Sequence, residues 1–248
     1  MKIALIVPCT SNKKEYTCFK DTDLYKYLFK SFFLTYSTEH EYVIYLGFDD
    51  DDIFFNSDRI RKDILRYVQV MKSCTVKFRT FNHIFKGNPC GIWNGLFSVA
   101  IQDKNDYFVQ VGDDIMFLDK EWVNCALTKL QHSGDIGVVG LSDQGRKEYN
   151  PRDSLFTQTI VSKKHYDIFG FYFPPEITSW GCDNWIGDIY ETHKLKLPIY
   201  QRIYNCGGEP RYEVPLDFKE QYFISMNKYK DKIHLYFKLK LDQQFICD

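Results

Sequence analysis

Apolar residues along this chain occur in short continuous runs that alternate with segments where they recur at helical spacing. Residues 2–7 form a continuous β-prone run that ends at Pro8 and a polar loop, as is typical of a strand buried on both faces. Residues 24–33 are rich in aromatic side chains at mixed helical spacing, and residues 42–48 form a second apolar run that ends in four acids. This order of strand, helix and strand predicts a largely parallel, doubly wound sheet.

The same alternation continues along the rest of the chain. Further strands are predicted at residues 75–79, 107–111, 136–140, 157–161 and 197–200. Further helices are predicted at residues 58–71, 89–101, 120–131, 163–169 and 183–192, the first with Asp58 as its N-cap. Residues 218–240 are lysine-rich and amphipathic, which favours a helix packed on the outside. We therefore expect one α/β domain over residues 1–217 and an amphipathic extension over residues 218–248 that packs on it.

Composition supports an ordered protein with no strong overall electrostatic field. The chain has 248 residues, 44% of them hydrophobic and 17% aromatic, which is typical of a globular domain with a sizeable core. Its 32 Lys and Arg against 33 Asp and Glu give a net charge of -1, so neither nucleic acid nor an anionic membrane is an expected partner. Any phosphate that the protein binds must be met by a local site.

The sequence contains no run that suggests export or a membrane span. The first apolar run is too short and wrongly flanked for a signal peptide, and no apolar run approaches the ~20 residues of a transmembrane helix. The eight cysteines include no C-x-x-C pair and no Cys/His cluster at zinc spacing, so we expect reduced thiols. These features predict a cytoplasmic protein.

Two adjacent acids stand between apolar runs in the middle of the chain. Asp113 and Asp114 follow Gly112 at the end of predicted strand 107–111, and residues 115–117 after them are apolar again. Ligands of open α/β sheets bind outside the carboxyl ends of the strands, where this turn would lie. A hard divalent cation that also bridges phosphate oxygens would stabilise two carboxylates at a core edge. The alternative is a tight turn with both acids in water.

The sequence features shared with a known family are the Val7-Pro8-Cys9-Thr10 end of the first strand, the acids after the second strand and the Gly112-Asp113-Asp114 turn. Together they resemble nucleotide-sugar-dependent glycosyltransferases of the GT-A type, family 2-like, over roughly residues 1–205. The resemblance implies a Rossmann-like, mostly parallel sheet flanked by helices. It also implies that Asp114 ligates Mn²⁺ or Mg²⁺ and that Asp113 contacts the donor ribose or a metal-bound water. Gly112 stands where a strict D-x-D motif has its first Asp.

The resemblance also implies residues that bind the donor. These are Pro8, Thr10 and Ser11 after the first strand, either Asp49 or Asp50 after the second strand, and Asn94 in the helix before the acid pair. Arg202 is favoured for neutralising the diphosphate, with Lys163, Lys164 and Arg211 as alternatives, and His193 is a candidate third metal ligand. For each group a plain alternative stands: an ordinary loop, solvated acids, a helix-surface amide or a surface histidine.

A second acid lies between two tryptophans. The Trp180-Gly181-Cys182-Asp183-Asn184-Trp185 segment resembles the W-G-x-E/D-D element of inverting GT-A enzymes. Inversion requires a base that takes the proton of the acceptor hydroxyl, and Asp183 is the choice for it, with Asp188 as the fallback. In another register the base position falls on Asn184. Asp183 is otherwise a helix N-cap between two core tryptophans, and without a base the enzyme would retain configuration.

These observations favour transfer of a hexose from a UDP- or GDP-sugar to a sugar hydroxyl of a glycan or glycoconjugate, assisted by Mn²⁺ or Mg²⁺. A Gly-Asp-Asp turn also occurs in RNA-dependent polymerases, but their basic channel does not fit a short, near-neutral chain. A nucleotidyltransferase that forms a nucleotide sugar and a non-catalytic carbohydrate-binding domain remain as alternatives. Metal-dependent binding of UDP or GDP would distinguish the enzyme from the binding domain.

Overall fold

A computed structural model describes residues 1–82, 86–145, 155–208, 211–213 and 215–246. The strands are β1 Lys2–Pro8, β2 Glu41–Asp49, β3 Cys74–Phe81, β4 Tyr107–Gln110, β5 Ile115–Phe117, β6 Val138–Asp143, β7 Thr159–Ser162 and β8 Lys196–Asn205. The α-helices are α1 Lys30–Thr35, α2 Ile53–Asn56, α3 Asp58–Val68, α4 Pro89–Gln102, α5 Trp122–His132, α6 Lys163–Phe169, α7 Cys182–Glu191, α8 Phe218–Tyr229 and α9 Lys232–Ile246. A 3₁₀ turn at Phe19–Asp21 and a π-helical segment at Leu24–Phe29 precede α1.

The described strands form one sheet in the order β3-β2-β1-β4-β7-β6-β8-β5. β1 lies parallel to both β2 and β4, and β2 lies parallel to β3, so this half of the sheet is doubly wound. β7 is antiparallel to β4 and β6, β8 is parallel to β6, and β5 is antiparallel to β8. The carboxyl ends of β1, β2 and β4 therefore meet at one edge of the sheet.

The central strands are buried because helices cover both faces of the sheet. Residues 3–7 of β1 are all buried, with alternate side chains in two apolar layers. One layer contains Phe32 of α1 and Trp122 of α5, which contact each other, and Trp122 also stacks on Phe117 of β5. The other layer contains Phe97 of α4 and Trp185 of α7. These two helices consequently have fixed positions, with their N-termini beside the edge where the parallel strands end.

The structure confirms the predicted fold class, a single α/β unit with helices on both faces of a sheet, and it corrects several details. β5 was not predicted, and β8 extends five residues beyond the predicted strand 197–200. Asp58 is the first residue of α3, whose N-cap is Ser57. Residues 218–240 form parts of two helices rather than one. Within the described residues, no helix combines the length and the apolar composition that crossing a membrane requires.

The C-terminal helices pack on the rest of the chain. Tyr229 of α8 and Ile233 of α9 are buried in the apolar layer that contains Trp185. Tyr222 of α8 donates its hydroxyl to Asp188 of α7 at 2.7 Å. The division of the chain at residue 217 stays a prediction.

Candidate active site

A cavity of about 1040 Å³ opens at the edge where the parallel strands end. Of the side chains predicted from the sequence to bind donor, metal or acceptor, those that line the cavity are Pro8, Thr10, Asp49, Asp113, Asp114, Asp183 and Arg211. They come from the ends of β1, β2 and β4, from the start of α7 and from the segment after β8. The sheet topology thus brings together residues that are up to two hundred positions apart.

The acid pair occupies a tight turn between β4 and β5. The amide oxygen Oε1 of Gln158 accepts the backbone N–H of Gly112 at 2.9 Å, and the carbonyl of Asp114 accepts the N–H of Cys206, also at 2.9 Å. A Cβ atom at Gly112 would lie 2.7 Å from Oδ1 of Asp114. A side chain at this position would therefore require the Asp114 carboxylate to shift.

Both carboxyl groups of the pair are unusually difficult to ionise. Asp113 is 3% exposed, and burial, together with the charge of Asp114, raises its pKa to about 7 against the lowering effect of Arg211. Burial also raises the pKa of Asp114. Since removal from water is the largest cause at both positions, the site favours a further cation at these carboxylates.

Arg211 provides the positive charge closest to the pair. Its Nη1 lies 2.9 Å from Oδ1 and 3.0 Å from Oδ2 of Asp113, and its Nη2 lies 3.5 Å from Oδ2 of Asp114. Nη2 also lies 3.0 Å from Oδ2 of Asp23, a carboxylate just before the π-helical segment that additionally pairs with Lys14 at 2.7 Å. Burial is the largest single effect and disfavours the guanidinium charge, but the charge and hydrogen bond of Asp113 together with the charge of Asp114 outweigh it, so the pKa of Arg211 is raised.

Residues 211–213, which we name the closing segment, line the cavity. The carbonyl of Arg211 accepts a hydrogen bond from Nδ2 of Asn12 at 2.7 Å. The hydroxyl of Tyr212 donates to Oδ2 of Asp49 at 3.0 Å and lies 3.0 Å from Oγ1 of Thr10. The closing segment is therefore tied to the loops after β1 and β2.

The four acids after β2 have different surroundings. Asp49 is 4% exposed and lines the cavity, and burial raises its pKa against the opposing hydrogen bond from Tyr212. Asp52 caps α2 and accepts two hydrogen bonds from Ser11, at 2.7 Å and 2.9 Å. Asp50 is exposed. Of Asp49 and Asp50, the two acids predicted as alternatives, Asp49 is the one that lines the cavity. Ser11 is instead hydrogen-bonded to Asp52.

The start of α7 also lines the cavity. Gly181, with a left-handed φ of 91°, occupies the N-cap position, so Asp183 lies in the first turn and is not the N-cap. Trp180 is 51% exposed, lines the cavity and packs edge-on against Phe218 with ring centroids 5.9 Å apart. Trp185 is fully buried, so only one of the two tryptophans belongs to the core.

Two predicted donor-binding residues are engaged away from the cavity. Oδ1 of Asn94 accepts the N–H groups of Tyr172 and Phe173 at 2.9 Å, and its Nδ2 donates to the carbonyl of Phe173 at 2.8 Å. Arg202 forms a two-point pair with Asp119 at 2.9 Å and 2.8 Å on an exposed surface. Asn94 therefore fastens the 171–173 loop, and Arg202 is fastened on that surface rather than facing the cavity.

None of the remaining predicted residues lines the cavity that contains the acid pair. Asp188 faces α8, where it accepts the hydroxyl of Tyr222. His193 follows the C-terminus of α7, about 15 Å of helix beyond Asp183. Lys163 and Lys164 follow β7, whose antiparallel pairing with β4 places its carboxyl end at the opposite edge of the sheet. The structure therefore does not bring the fallback base, the third metal ligand or the alternative diphosphate-binding lysines together with the acid pair.

The ligand atoms of the acid pair are of the type that divalent metals such as Mg²⁺ and Mn²⁺ bind. Asp113 and Asp114 offer carboxylate oxygens, which Mg²⁺ and Mn²⁺ prefer, beside a cavity that has room for phosphate and water oxygens. In the part of the chain that the structure describes, no three His, Cys, Asp or Glu side chains are grouped as metal ligands. A metal here would take its other ligands from substrate and water, as Mg²⁺ commonly does.

The fold is similar to that of several solved glycosyltransferases. Residues 1–349 of S. aureus TarS, in complex with UDP-GlcNAc, match with a TM-score of 0.56 and 18% identity over 89% of this chain. The mannosyltransferase PcManGT from Pyrobaculum calidifontis, with GDP-Man and Mn²⁺, matches with a TM-score of 0.54 and 11% identity over 84% of this chain. GalNAc-T7, with UDP, GalNAc and Mn²⁺, matches with a TM-score of 0.64 and 9% identity over 93% of this chain.

This chain covers only part of the length of each of these solved structures. This chain spans 64% of the TarS fragment, 57% of the mannosyltransferase and 49% of GalNAc-T7. No protein-family model and no curated protein sequence matches the chain. At identities this low, the likeness shows the GT-A fold of the chain.

Proposed function

We propose that this protein transfers a sugar from a nucleotide diphosphate sugar to a hydroxyl group of an acceptor sugar, with a divalent metal and with inversion at the anomeric carbon. One observation carries the proposal. The buried acid Asp113 and the half-buried acid Asp114 line the same cavity as a third acid, Asp183, which lies in the first turn of α7 near the exposed Trp180. Glycosyl transfer needs these two groups of acids, one for the leaving diphosphate and one for the acceptor.

The donor nucleotide occupies the side of the cavity formed by Pro8, Thr10 and Asp49. Asp49 is buried there and one of its carboxylate oxygens has no hydrogen-bond partner among the described residues, so it can accept an N–H or O–H group of the base or ribose. The solved complexes of similar fold contain UDP-GlcNAc and GDP-Man. They support a UDP- or GDP-sugar as the donor.

The diphosphate lies against the acid pair. Asp114 would hold Mn²⁺ or Mg²⁺, with Asp113 as a further ligand or as the acceptor for a metal-bound water. Such a cation supplies stabilisation of the negative charge on the departing diphosphate. Arg211, which reaches the same carboxylates, adds a fixed positive charge and can bind a phosphate oxygen pair.

The acceptor occupies the side of the cavity formed by Trp180 and Asp183. A half-exposed indole ring offers an apolar face to a sugar ring. Asp183 takes the proton from the acceptor hydroxyl, whose oxygen forms the new bond to the anomeric carbon while the bond to the diphosphate breaks. Asn184, which also lines the cavity, holds a substrate hydroxyl but accepts no proton.

A panel of UDP- and GDP-sugars tests the proposal. Thermal unfolding with and without Mn²⁺ should show a rise in Tm for at least one donor, because a ligand that binds only the folded state stabilises it. Release of the nucleoside diphosphate from that donor should require Mn²⁺. If no nucleoside diphosphate sugar stabilises the protein or is consumed, the proposal is wrong.

The same assays separate the alternatives. Release of pyrophosphate from a nucleoside triphosphate and a sugar 1-phosphate would identify a nucleotidyltransferase instead. Binding of glycans that is unaffected by nucleotide and by Mn²⁺ would identify a carbohydrate-binding domain.

A further inference from the structure

The guanidinium group of Arg211 occupies the position that a metal ion would need. It is within 3.5 Å of carboxylate oxygens from Asp23, Asp113 and Asp114, and its side chain is only 16% exposed. Both oxygens of Asp113 and Oδ2 of Asp114 face the two terminal nitrogens. In this arrangement a protein side chain serves as the counter-cation of the acid pair.

Arg211 and a divalent ion compete for the same oxygens. A metal–oxygen bond to Mg²⁺ is ~2.0–2.1 Å, so a metal that ligates Asp113 and Asp114 leaves no room for a guanidinium in hydrogen-bond contact with both. If the guanidinium moves away from these carboxylates and gains no new partner, its buried positive charge loses part of its compensation, which is costly. Metal binding in the absence of other ligands is therefore opposed by Arg211.

A bound diphosphate gives the displaced side chain a new partner. The backbone at Arg211 is held by Asn12, and the next residue is held by Asp49 and Thr10. The backbone of the closing segment can thus stay in place while the long side chain of Arg211 turns away from the acids towards a diphosphate in the cavity. A guanidinium binds phosphate oxygens in a two-point geometry, which suits a donor diphosphate at this position.

We infer that Arg211 is an exchangeable internal cation that couples the binding of metal and nucleotide in this protein. It neutralises the acid pair before ligands arrive, and it transfers to the diphosphate when a divalent ion takes its place. The inference rests on the proposed function, since it assumes a metal at Asp113 and Asp114. Its consequence is that metal and nucleoside diphosphate bind strongly together and weakly apart.

Mn²⁺ binding to the full chain tests the inference without a turnover assay. The Kd of Mn²⁺ is measured by electron paramagnetic resonance of the free ion, with and without saturating UDP or GDP, in the wild type and in Arg211→Gln. In the wild type, the nucleotide should lower the Kd of Mn²⁺ by ~5–150-fold, the usual range of coupling between two sites. In Arg211→Gln, the Kd of Mn²⁺ alone should be at least ~10-fold lower than in the wild type, and the coupling should fall towards onefold.

Two further variants serve as controls. Arg211→Lys keeps a positive charge within reach and should bind Mn²⁺ alone nearly as weakly as the wild type. Arg202→Gln removes an arginine whose pair with Asp119 lies outside the cavity, and it should leave both constants unchanged. Thermal unfolding of each variant without ligand verifies that it is folded.

The outcomes separate this inference from the proposed function. Equal Kd values for Mn²⁺ in wild type and Arg211→Gln, with intact binding and turnover, would overturn the exchange and leave the glycosyltransferase proposal standing. No Mn²⁺ binding in any variant, with or without nucleotide, would overturn the metal site itself and this inference with it.

Discussion

The hydroxyl of Tyr212 lies 3.0 Å from Oδ2 of Asp49, and this hydrogen bond links the closing segment to the end of β2. The other oxygen of the carboxylate, Oδ1, is buried and has no hydrogen-bond partner in the described part of the chain. In the function proposed above, this oxygen accepts a group of the nucleotide. The hydrogen bond from Tyr212 would then couple nucleotide binding to the position of residues 211–213.

Asp49→Asn should weaken the binding of the nucleoside diphosphate. The amide keeps the shape but loses the negative charge, and a hydrogen bond to a charged group contributes ~1.5–3 kcal/mol, which corresponds to ~10–150-fold in Kd. Isothermal titration with UDP and GDP measures the change. Asp50→Asn, at an exposed neighbouring acid, is the matched control and should bind as the wild type does. Equal affinities for both variants would contradict the role of Asp49.

Asp114→Asn should lower turnover far more than it lowers stability. The variant loses the carboxylate charge proposed to hold the metal, and removal of one electrostatic contact to developing charge costs ~100–1,000-fold in kcat. Release of nucleoside diphosphate at saturating donor and Mn²⁺ measures the effect. Asp119→Asn, which alters a half-buried acid that pairs with Arg202 and does not line the cavity, is the control. Full activity of Asp114→Asn would remove this residue from the mechanism.

Asp183→Asn should abolish transfer and keep donor binding. General base catalysis contributes ~100–10,000-fold, and an amide accepts no proton, so kcat for transfer should fall by this factor while the Kd of UDP or GDP stays within twofold. Asp188→Asn tests the acid one and a half turns further along α7, which faces Tyr222 and should remain active. Retained transfer by Asp183→Asn, or its loss in Asp188→Asn alone, would contradict the assignment.

Asn94→Ala should destabilise the protein without a direct effect on the nucleotide. The substitution leaves two backbone N–H groups and one carbonyl of the 172–173 segment without their partner, and each unsatisfied buried group costs ~1–3 kcal/mol. We expect a lower free energy of unfolding in urea by ~2 kcal/mol or more. Asn227→Ala, at an exposed site on α8, should change it by less than ~0.5 kcal/mol. A loss of UDP affinity in folded Asn94→Ala would instead restore its predicted contact with the donor.

His165 should make the protein less stable as the pH falls below neutrality. Burial lowers the pKa of His165 from 6.5 to about 4, so the ring is neutral at pH 7. Its Nε2 donates to the carbonyl of Tyr172, which leaves Nδ1 to accept from the hydroxyl of Tyr190. In the unfolded chain the imidazole of His165 binds a proton as the pH falls through 6.5, whereas in the folded chain it stays neutral until the pH approaches 4. The stabilisation is therefore complete above pH 6.5 and is lost as the pH falls from 6.5 towards 4.

Between pH 7.5 and pH 5 this residue should remove ~2 kcal/mol from the free energy of unfolding. Urea unfolding at the two pH values measures the change. In His165→Gln the dependence on pH should be smaller by this amount, whereas His132→Gln, at an exposed site, should retain the wild-type dependence. A proton resonance of His165 that titrates near pH 6.5 in the folded protein would contradict the prediction.

Most of the elements could be predicted from local sequence, and the errors have a common physical origin. The strand at residues 2–7 and the helices at residues 89–101 and 163–169 have apolar patterns and end signals that their own residues carry. β5 is only three residues long and forms because it pairs with β8, so its own sequence carries little signal. The extension of β8 to Asn205 depends on the same pairing.

The candidate site divides in the same way. The acid pair and Asp183 stand in short segments whose residue types indicate their chemistry. Asp23 and Tyr212 were not predicted, and Arg211 was only one of several basic candidates, because nothing near them in sequence announces a contact made across about 200 positions. Asn94 and Arg202 show the converse error. Both were predicted to bind the donor, but each is hydrogen-bonded to protein groups that only the fold brings next to it.

The pairing of β5 with β8 has a consequence for how the protein is made. β4, on one side of the acid turn, pairs with β1, which is synthesised before it. Ile115, on the other side, pairs with Asn205, which is synthesised about 90 residues later. At ~5–20 residues per second on a ribosome, the turn spends several seconds without its second anchor. A nascent chain or a proteolytic fragment that ends before β8 would thus carry both acids on an unfinished loop.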